Sequence, residues 1–213
     1  MAYNLQDQEQ IEELKAFWSR NGNRLMWLAI IALAAFAGWR AWNWYQDSQA
    51  QEAAREYAGL LSAAQADRVD QVRERYSAIV RHDDSSVYAG MAGLRAASVF
   101  LKGGKADEAA AALQEVMKNS REPGFRPIAG VRLAGILLDQ KKYDEALRAL
   151  DSGNTGPVSG AMAGSVADRR GDVLSAQGKA AEARSAWQEA LKLLPAQAPL
   201  RVLVQFKLDA VTN

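Results

Sequence analysis

Cysteine is absent from the 213 residues, which excludes disulfides, thiolate chemistry and cysteine-based metal sites. Histidine occurs once, at His82, so a multi-histidine metal centre is excluded as well. Charge of either sign is not in excess: 26 Lys and Arg against 25 Asp and Glu leave a formal +1. Basic and acidic residues are interleaved, so no global field draws nucleic acid, and no nucleic-acid groove is expected. Proline is missing from the first 120 residues, and Pro123, Pro127, Pro157, Pro195 and Pro199 all fall at expected helix boundaries. No stretch alternates like a half-buried strand. Ala, Leu, Gln, Glu, Arg and Lys dominate what is present, and all favour helix. The expected class is all-α.

Chemistry is missing too. No nucleophile motif accompanies the single histidine, so no catalytic, cofactor-binding or metal-ligating residue is assigned, and a non-enzymatic protein is expected. His82-Asp83-Asp84 precedes a helix start at Ser85 or Ser86, where acids and serines serve as caps rather than ligands. Gly103-Gly104-Lys105 lacks the phosphate-loop spacing, a following Ser or Thr and a preceding strand, so it reads as an inter-helix turn.

One long hydrophobic run stands out: Leu25 to Trp39, fifteen residues without a charge, bounded by Arg24 and Arg40. At ~1.5 Å per residue it covers about 22 Å of a ~30 Å hydrocarbon core. Its flanks extend it. Arg24 and Arg40 have stems long enough to reach headgroups, and Trp27, Trp39, Trp42, Trp44 and Tyr45 supply an aromatic belt at its two ends. Residues 24–45 are therefore expected to be a transmembrane anchor in the lipid bilayer. A cleavable signal weighs less despite Ala35-Phe36-Ala37, because the preceding segment is long and carries Asp7, Glu9, Glu12 and Glu13. A buried soluble helix weighs least. Lys15, Arg20 and Arg24 precede the span while only Arg40 and Arg55 follow closely, so the N-terminus is expected in the cytosol and the large C-terminal part across the membrane. Residues 1–23 read as a short amphipathic helix with apolar Leu5, Ile11, Leu14, Phe17 and Trp18, stopping at Asn21-Gly22-Asn23. Residues 46–66 read as a helical stalk.

Residues 67–213 contain a period. Acid-Ala helix starts recur at Asp107-Glu108-Ala109, Asp144-Glu145-Ala146 and Glu182-Ala183, in steps of 37, and a further step back reaches Val72 in a degenerate copy. Four residues beyond each stands a large side chain: Tyr76, Leu113, Leu150 and Trp187. Twelve residues before stand Leu60, Ala97, Ala134 and Gly171, and large-into-small packing lets antiparallel helices approach closely. This pattern resembles a tetratricopeptide repeat, at a period longer than the usual ~34 residues; the added length is expected at Ser120–Arg126 and Ser152–Ser159. Leu200, Val202, Leu203, Phe206, Leu208 and Val211 read as a capping helix. The expected architecture is a single N-terminal transmembrane helix followed by a TPR-like α-solenoid of helix pairs. Its inner face, built from the first helix of each pair, is the candidate partner-binding face, with Met91, Leu94, Leu101, Ile128, Val131 and Leu138.

Taken whole, the chain resembles the YfgM family, the tetratricopeptide-like ancillary subunit of the bacterial SecYEG translocon. Phe17-Trp18-Ser19-Arg20-Asn21-Gly22, Gly38-Trp39-Arg40-Ala41-Trp42-Asn43, Val166 to Asp172 and Ala183-Arg184-Ser185-Ala186-Trp187 carry the resemblance. It implies a bacterial inner-membrane protein with a periplasmic repeat domain. It also implies SecYEG and the periplasmic chaperone PpiD as partners, near nascent exported proteins. The expected role is assistance to protein export and handover to chaperones. The alternative is a structural scaffold of another envelope complex without client binding.

Overall fold

The computed structural model describes the backbone of residues 3–153, 158 and 160–212, and their side chains apart from those at 3–11, 13, 14, 16, 45–50 and 212. Among the described residues every regular element is a helix: α1 (Tyr3–Gln65), α2 (Val69–His82), α3 (Val87–Lys102), α4 (Ala106–Asn119), α5 (Phe125–Asp139), α6 (Tyr143–Gly153), α7 (Gly160–Ala176), α8 (Ala180–Leu193) and α9 (Leu200–Thr212). The all-α class and the helix-pair architecture follow. The chain forms two compact units, Met1–Glu52 and Ala53–Asn213.

The first unit is the long N-terminal part of α1. Its stretch long and apolar enough to cross a membrane is Phe17–Trp44, and no residue of its 18-residue apolar window is buried within the protein. The helix does not stop at Asn21-Gly22-Asn23 as expected. The Trp18 indole covers Gly22, 3.3 Å from where a Cβ would stand. An isolated helical glycine costs only about 1 kcal/mol, while breaking a helix strands several backbone groups, so continuation wins. Phe17 and Trp18 are exposed, whereas the side chains of Leu5, Ile11 and Leu14 lie outside the described residues.

The second unit stacks helix pairs. The last turns of α1 meet α2 through Glu56 and Gly59 against Arg75, then come α3 with α4, α5 with α6, and α7 with α8, and α9 packs on α8. Each pair turns the same way. Asp67 (φ 50°), Gly104 (φ 73°), Lys141 (φ 59°) and Gly178 (φ 78°) take the left-handed conformation, each 37 residues after the last. The following amide then donates back across the turn: Arg68 to Ala63 O (3.0 Å), Lys105 to Phe100 O (2.8 Å), Lys142 to Leu137 O (2.8 Å) and Lys179 to Leu174 O (2.9 Å). This six-to-one closure satisfies carbonyls at the helix end. The first copy, degenerate in sequence, is regular in backbone. The connections between pairs are longer, at 83–86 and 120–124; most of 154–159 lies outside the described residues.

The expected packing positions form the core, apart from Tyr76, which is half-buried against it. Val72, Ala109, Ala146 and Ala183 are completely buried, as are Leu60 and Ala134, with Leu113, Leu150, Ala97 and Trp187 nearly so. Each large apolar side chain buried here contributes ~1.5–3 kcal/mol to the stack. A Cβ on Gly171 would collide with the Trp187 indole, so the expected large-into-small contact is direct. A second small track runs beside it. A Cβ on Gly93 would stand 2.5 Å from Val116, and Gly130 meets Gly153 backbone to backbone. Val204 of α9 is fully buried, but Val202, Leu203 and Phe206 face outward, so the terminal helix covers α8 while presenting an apolar outer side.

Candidate functional site

The candidates for partner contact expected from the sequence are the apolar stretch of α1 and the face built from α3, α5 and α7. On α1, Arg24, Trp27, Trp39, Arg40, Trp42 and Trp44 are all exposed; the side chain of Tyr45 lies outside the described residues. Phe36 and Trp44 stand one turn either side of Arg40, and with Ala37, Ala41 and Asn43 they form a shallow concavity around it. Phe36 and Trp39 are in tilted contact, 6.0 Å between ring centres. The guanidinium stem can lie along this aromatic surface and carry its charge toward an interface.

In the repeat unit, α3 touches α5 and α5 touches α7, so first helices of successive pairs line one face. The six residues expected there are not equally available. Leu101 is 47% exposed. Met91, Leu94, Ile128, Val131 and Leu138 are half-buried, and Leu94, Val131 and Leu138 pack against the core. A cleft of about 470 Å³ opens on this face. Leu101 lines it from α3, Gly135, Ile136 and Asp139 from α5, and Arg132 and Arg169 bring charge to it.

Those arginines were invisible to a search for apolar positions. Arg95, Arg132 and Arg169 occupy one register position of α3, α5 and α7, again in steps of 37. The 37-residue step itself was the signal that could have found them. Arg132 donates from Nη1 to the Leu94 carbonyl (3.0 Å). The Arg169 guanidinium carbon lies 3.6 Å from where a Gly135 Cβ would stand. Each thus lies back over the preceding first helix. Arg169 pairs with Asp172 (3.4 Å); among the described residues, no carboxylate pairs with Arg95 or Arg132. The Nε atoms of Arg95 and Arg169 are buried without a hydrogen-bond partner among the described residues.

At the α7 end of this face the charge is compensated. Lys207 of α9 donates to Asp168 (2.7 Å) and lies 2.6 Å from Asp172, and the Trp187 indole donates to Asp172 (3.3 Å). Burial, opposed by Lys207, pushes the Asp168 carboxyl above its ordinary value. This cluster locks α9 to α7 and α8, and it has the character of a structural tie. Among the described residues no group of three or more potential ligands could hold a metal. Asp83 and Asp84 are occupied structurally: Asp83 accepts from the Ser85 hydroxyl (2.7 Å), which holds its carboxyl below the ordinary value, and Asp84 accepts from Asn119 (3.0 Å). Ser86 is the cap of α3, accepting from the Ala89 amide.

Comparison with known proteins agrees with this architecture. Residues 15–213 match the tetratricopeptide repeat-like domain family. A protein of Neisseria gonorrhoeae named "Ancillary SecYEG translocon subunit" is 32% identical over 212 residues, covering 99% of this chain and 100% of that one. The protein of the same name in Escherichia coli K12 is 29% identical over 189 residues, 87% of each chain. Among solved structures, Pseudomonas aeruginosa pilF superposes with a TM-score of 0.60 at 18% identity, over 77% of this chain and 69% of that one, a likeness of fold alone. With a repeat-family match that begins ahead of the apolar stretch and ends at the last residue, and a relative aligned from end to end, this chain belongs to the YfgM family of ancillary SecYEG translocon subunits.

Proposed function

We propose that the protein is a membrane-anchored, non-catalytic subunit that works beside the SecYEG translocon and assists protein export. The observation that carries this reading is the full-length similarity to proteins named as ancillary translocon subunits. The single apolar stretch of α1 and the stacked helix pairs supply the physical means. In this reading α1 crosses the bacterial inner membrane once, with the N-terminus in the cytosol and the repeat unit in the periplasm. The bias of Lys15, Arg20 and Arg24 over Arg40 and Arg55 supports that orientation. The anchor concentrates the repeat unit at the translocon exit, so weak contacts become productive without covalent chemistry. The inner face would meet nascent exported chains or the chaperone PpiD, the partners that family membership suggests.

The test is site-specific photo-crosslinking from Leu101 and Ile128 in cells. Capture of translocon subunits, the chaperone or exported chains is the expected result. Recovery of a division or envelope-synthesis complex alone would replace this reading with that of a scaffold. A reporter active only in the periplasm, fused to the C-terminus, should be active; an inactive fusion reverses the topology.

A further inference from the structure

We infer that the inner face receives an extended, acidic segment of a partner protein, held by the ladder of Arg95, Arg132 and Arg169. The inference rests on the reading of this face as a partner-binding surface and specifies the chemistry of what it binds. Charge supplies the first argument. Arg73, Arg75 and Arg170, elsewhere in the unit, sit on Glu108, Glu56 and Asp151 at 2.8, 3.0 and 2.5 Å. Arg95 and Arg132 have no such partner among the described residues, and two Nε donors of the ladder are buried and unpaired. A guanidinium without a carboxylate partner prefers a planar carboxylate above other acceptors.

Spacing supplies the second argument. Contacting helices lie about 8–10 Å apart, and an extended chain advances ~3.3 Å per residue. One ladder step therefore spans roughly three residues of an extended segment. A sequence with an acid at every third position, and apolar residues between to use the exposed Leu101, matches the face. A helical partner fits less well, because acids three residues apart on a helix rise only about 4.5 Å. Local acids reach one rung of the ladder: Arg169 pairs with Asp172, which Lys207 and Trp187 also engage, while Arg95 and Arg132 stay without a carboxylate among the described residues and Asp139 lines the cleft.

The experiment uses the full chain in detergent and a fluorescent peptide of three Glu-Leu-Ser triplets, with the Gln-Leu-Ser peptide as its neutral match. The Glu peptide should bind, and Arg95→Gln and Arg132→Gln should each weaken it about tenfold, as loss of a charge-assisted contact does. Arg132 is exposed, so its variant should keep the parent's circular dichroism and thermal midpoint. Equal binding of the Glu and Gln peptides would overturn the inference. So would loss of binding to vesicles containing phosphatidylglycerol in the arginine variants with peptide binding unchanged, which would assign the ladder to lipid. If no peptide binds while crosslinks from Leu101 still capture a partner, the acidic ladder fails and the proposed function stands. If those crosslinks capture nothing, the reading of the face fails first.

Discussion

Asp168 and Asp172 share one ammonium, that of Lys207, across 39 residues of sequence in the first case. Burial raises the Asp168 carboxyl, so the folded state holds its proton more tightly than the unfolded state does. The sign follows: its contribution to stability is largest below the ordinary value of 3.8 and is lost as pH rises through the raised value. Lys207→Met removes the cation that offsets this loss and should cost about 3 kcal/mol near pH 7. The cost should shrink toward about pH 3, which lies below the ordinary value of 3.8 and so below the raised one, where Asp168 carries its proton. Thermal midpoints of both proteins at the two pH values check it, and an equal cost at both would show that Lys207 acts through packing alone. At Gly171 the prediction is steric. Gly171→Ala drives a methyl group into the Trp187 indole and should cost about 1–3 kcal/mol in chemical denaturation. Adding Trp187→Phe should recover part of that loss, since the smaller ring vacates the contact.

The turns within helix pairs are the elements that repeat most faithfully, and they also hold the clearest conformational cost. Lys141 takes φ 59° and Asp67 φ 50°, where the sister positions are glycine. Lys141→Gly should stabilise the protein by about 0.5–1 kcal/mol, because a left-handed side chain is strained by ~1–2 kcal/mol and glycine gives back part of this as entropy. Gly104→Ala should destabilise by a similar amount, and urea midpoints decide both. These turns also show where sequence is legible. Ala109, Ala146 and Ala183 could be read because burial at helix spacing restricts side-chain size, and residue type records that restriction. Backbone conformation is recorded only where it demands glycine. Gly104 and Gly178 announce the turn, while Asp67 and Lys141 conceal it. The Lys207 tie was hidden for another reason: its partners are three-dimensional neighbours, and α9 looked like a plain apolar cap. The candidate face was legible as a register, yet which of its six residues project freely depended on packing. Arg95, Arg132 and Arg169 passed unnoticed among interleaved charges.

At the scale of the molecule, the buried residues fall into two clusters that meet at α7. Val166 and Val173 join the larger cluster of α1 to α6, while Ala167 and Leu174 join the smaller one with α8 and α9. Stacked repeats contact only their neighbours, so stability can vary along the stack. Amides of α8 and α9 should exchange with solvent ahead of those in α3 to α5. Val204→Ala should accelerate exchange in α7–α9 and leave α3–α5 unchanged; a uniform response would mean one cooperative block.

The left-handed residues at 67, 104, 141 and 178 recur without remainder, which makes the repeat a cassette in the genetic sense. Excision of residues 104–140 would join Gly103 to Lys141, a residue already in the backbone state that Gly104 vacates. Helix α3 would then pair with α6, bringing Ala97 against Ala146 and Leu150, the same kinds of side chain it meets now. A gene that loses or gains such a cassette still encodes a stackable array, whereas a cut one codon longer or shorter throws every later helix out of phase. Reach, and with it the number of arginine rungs offered to a partner, could thus change by whole units without redesigning a single interface.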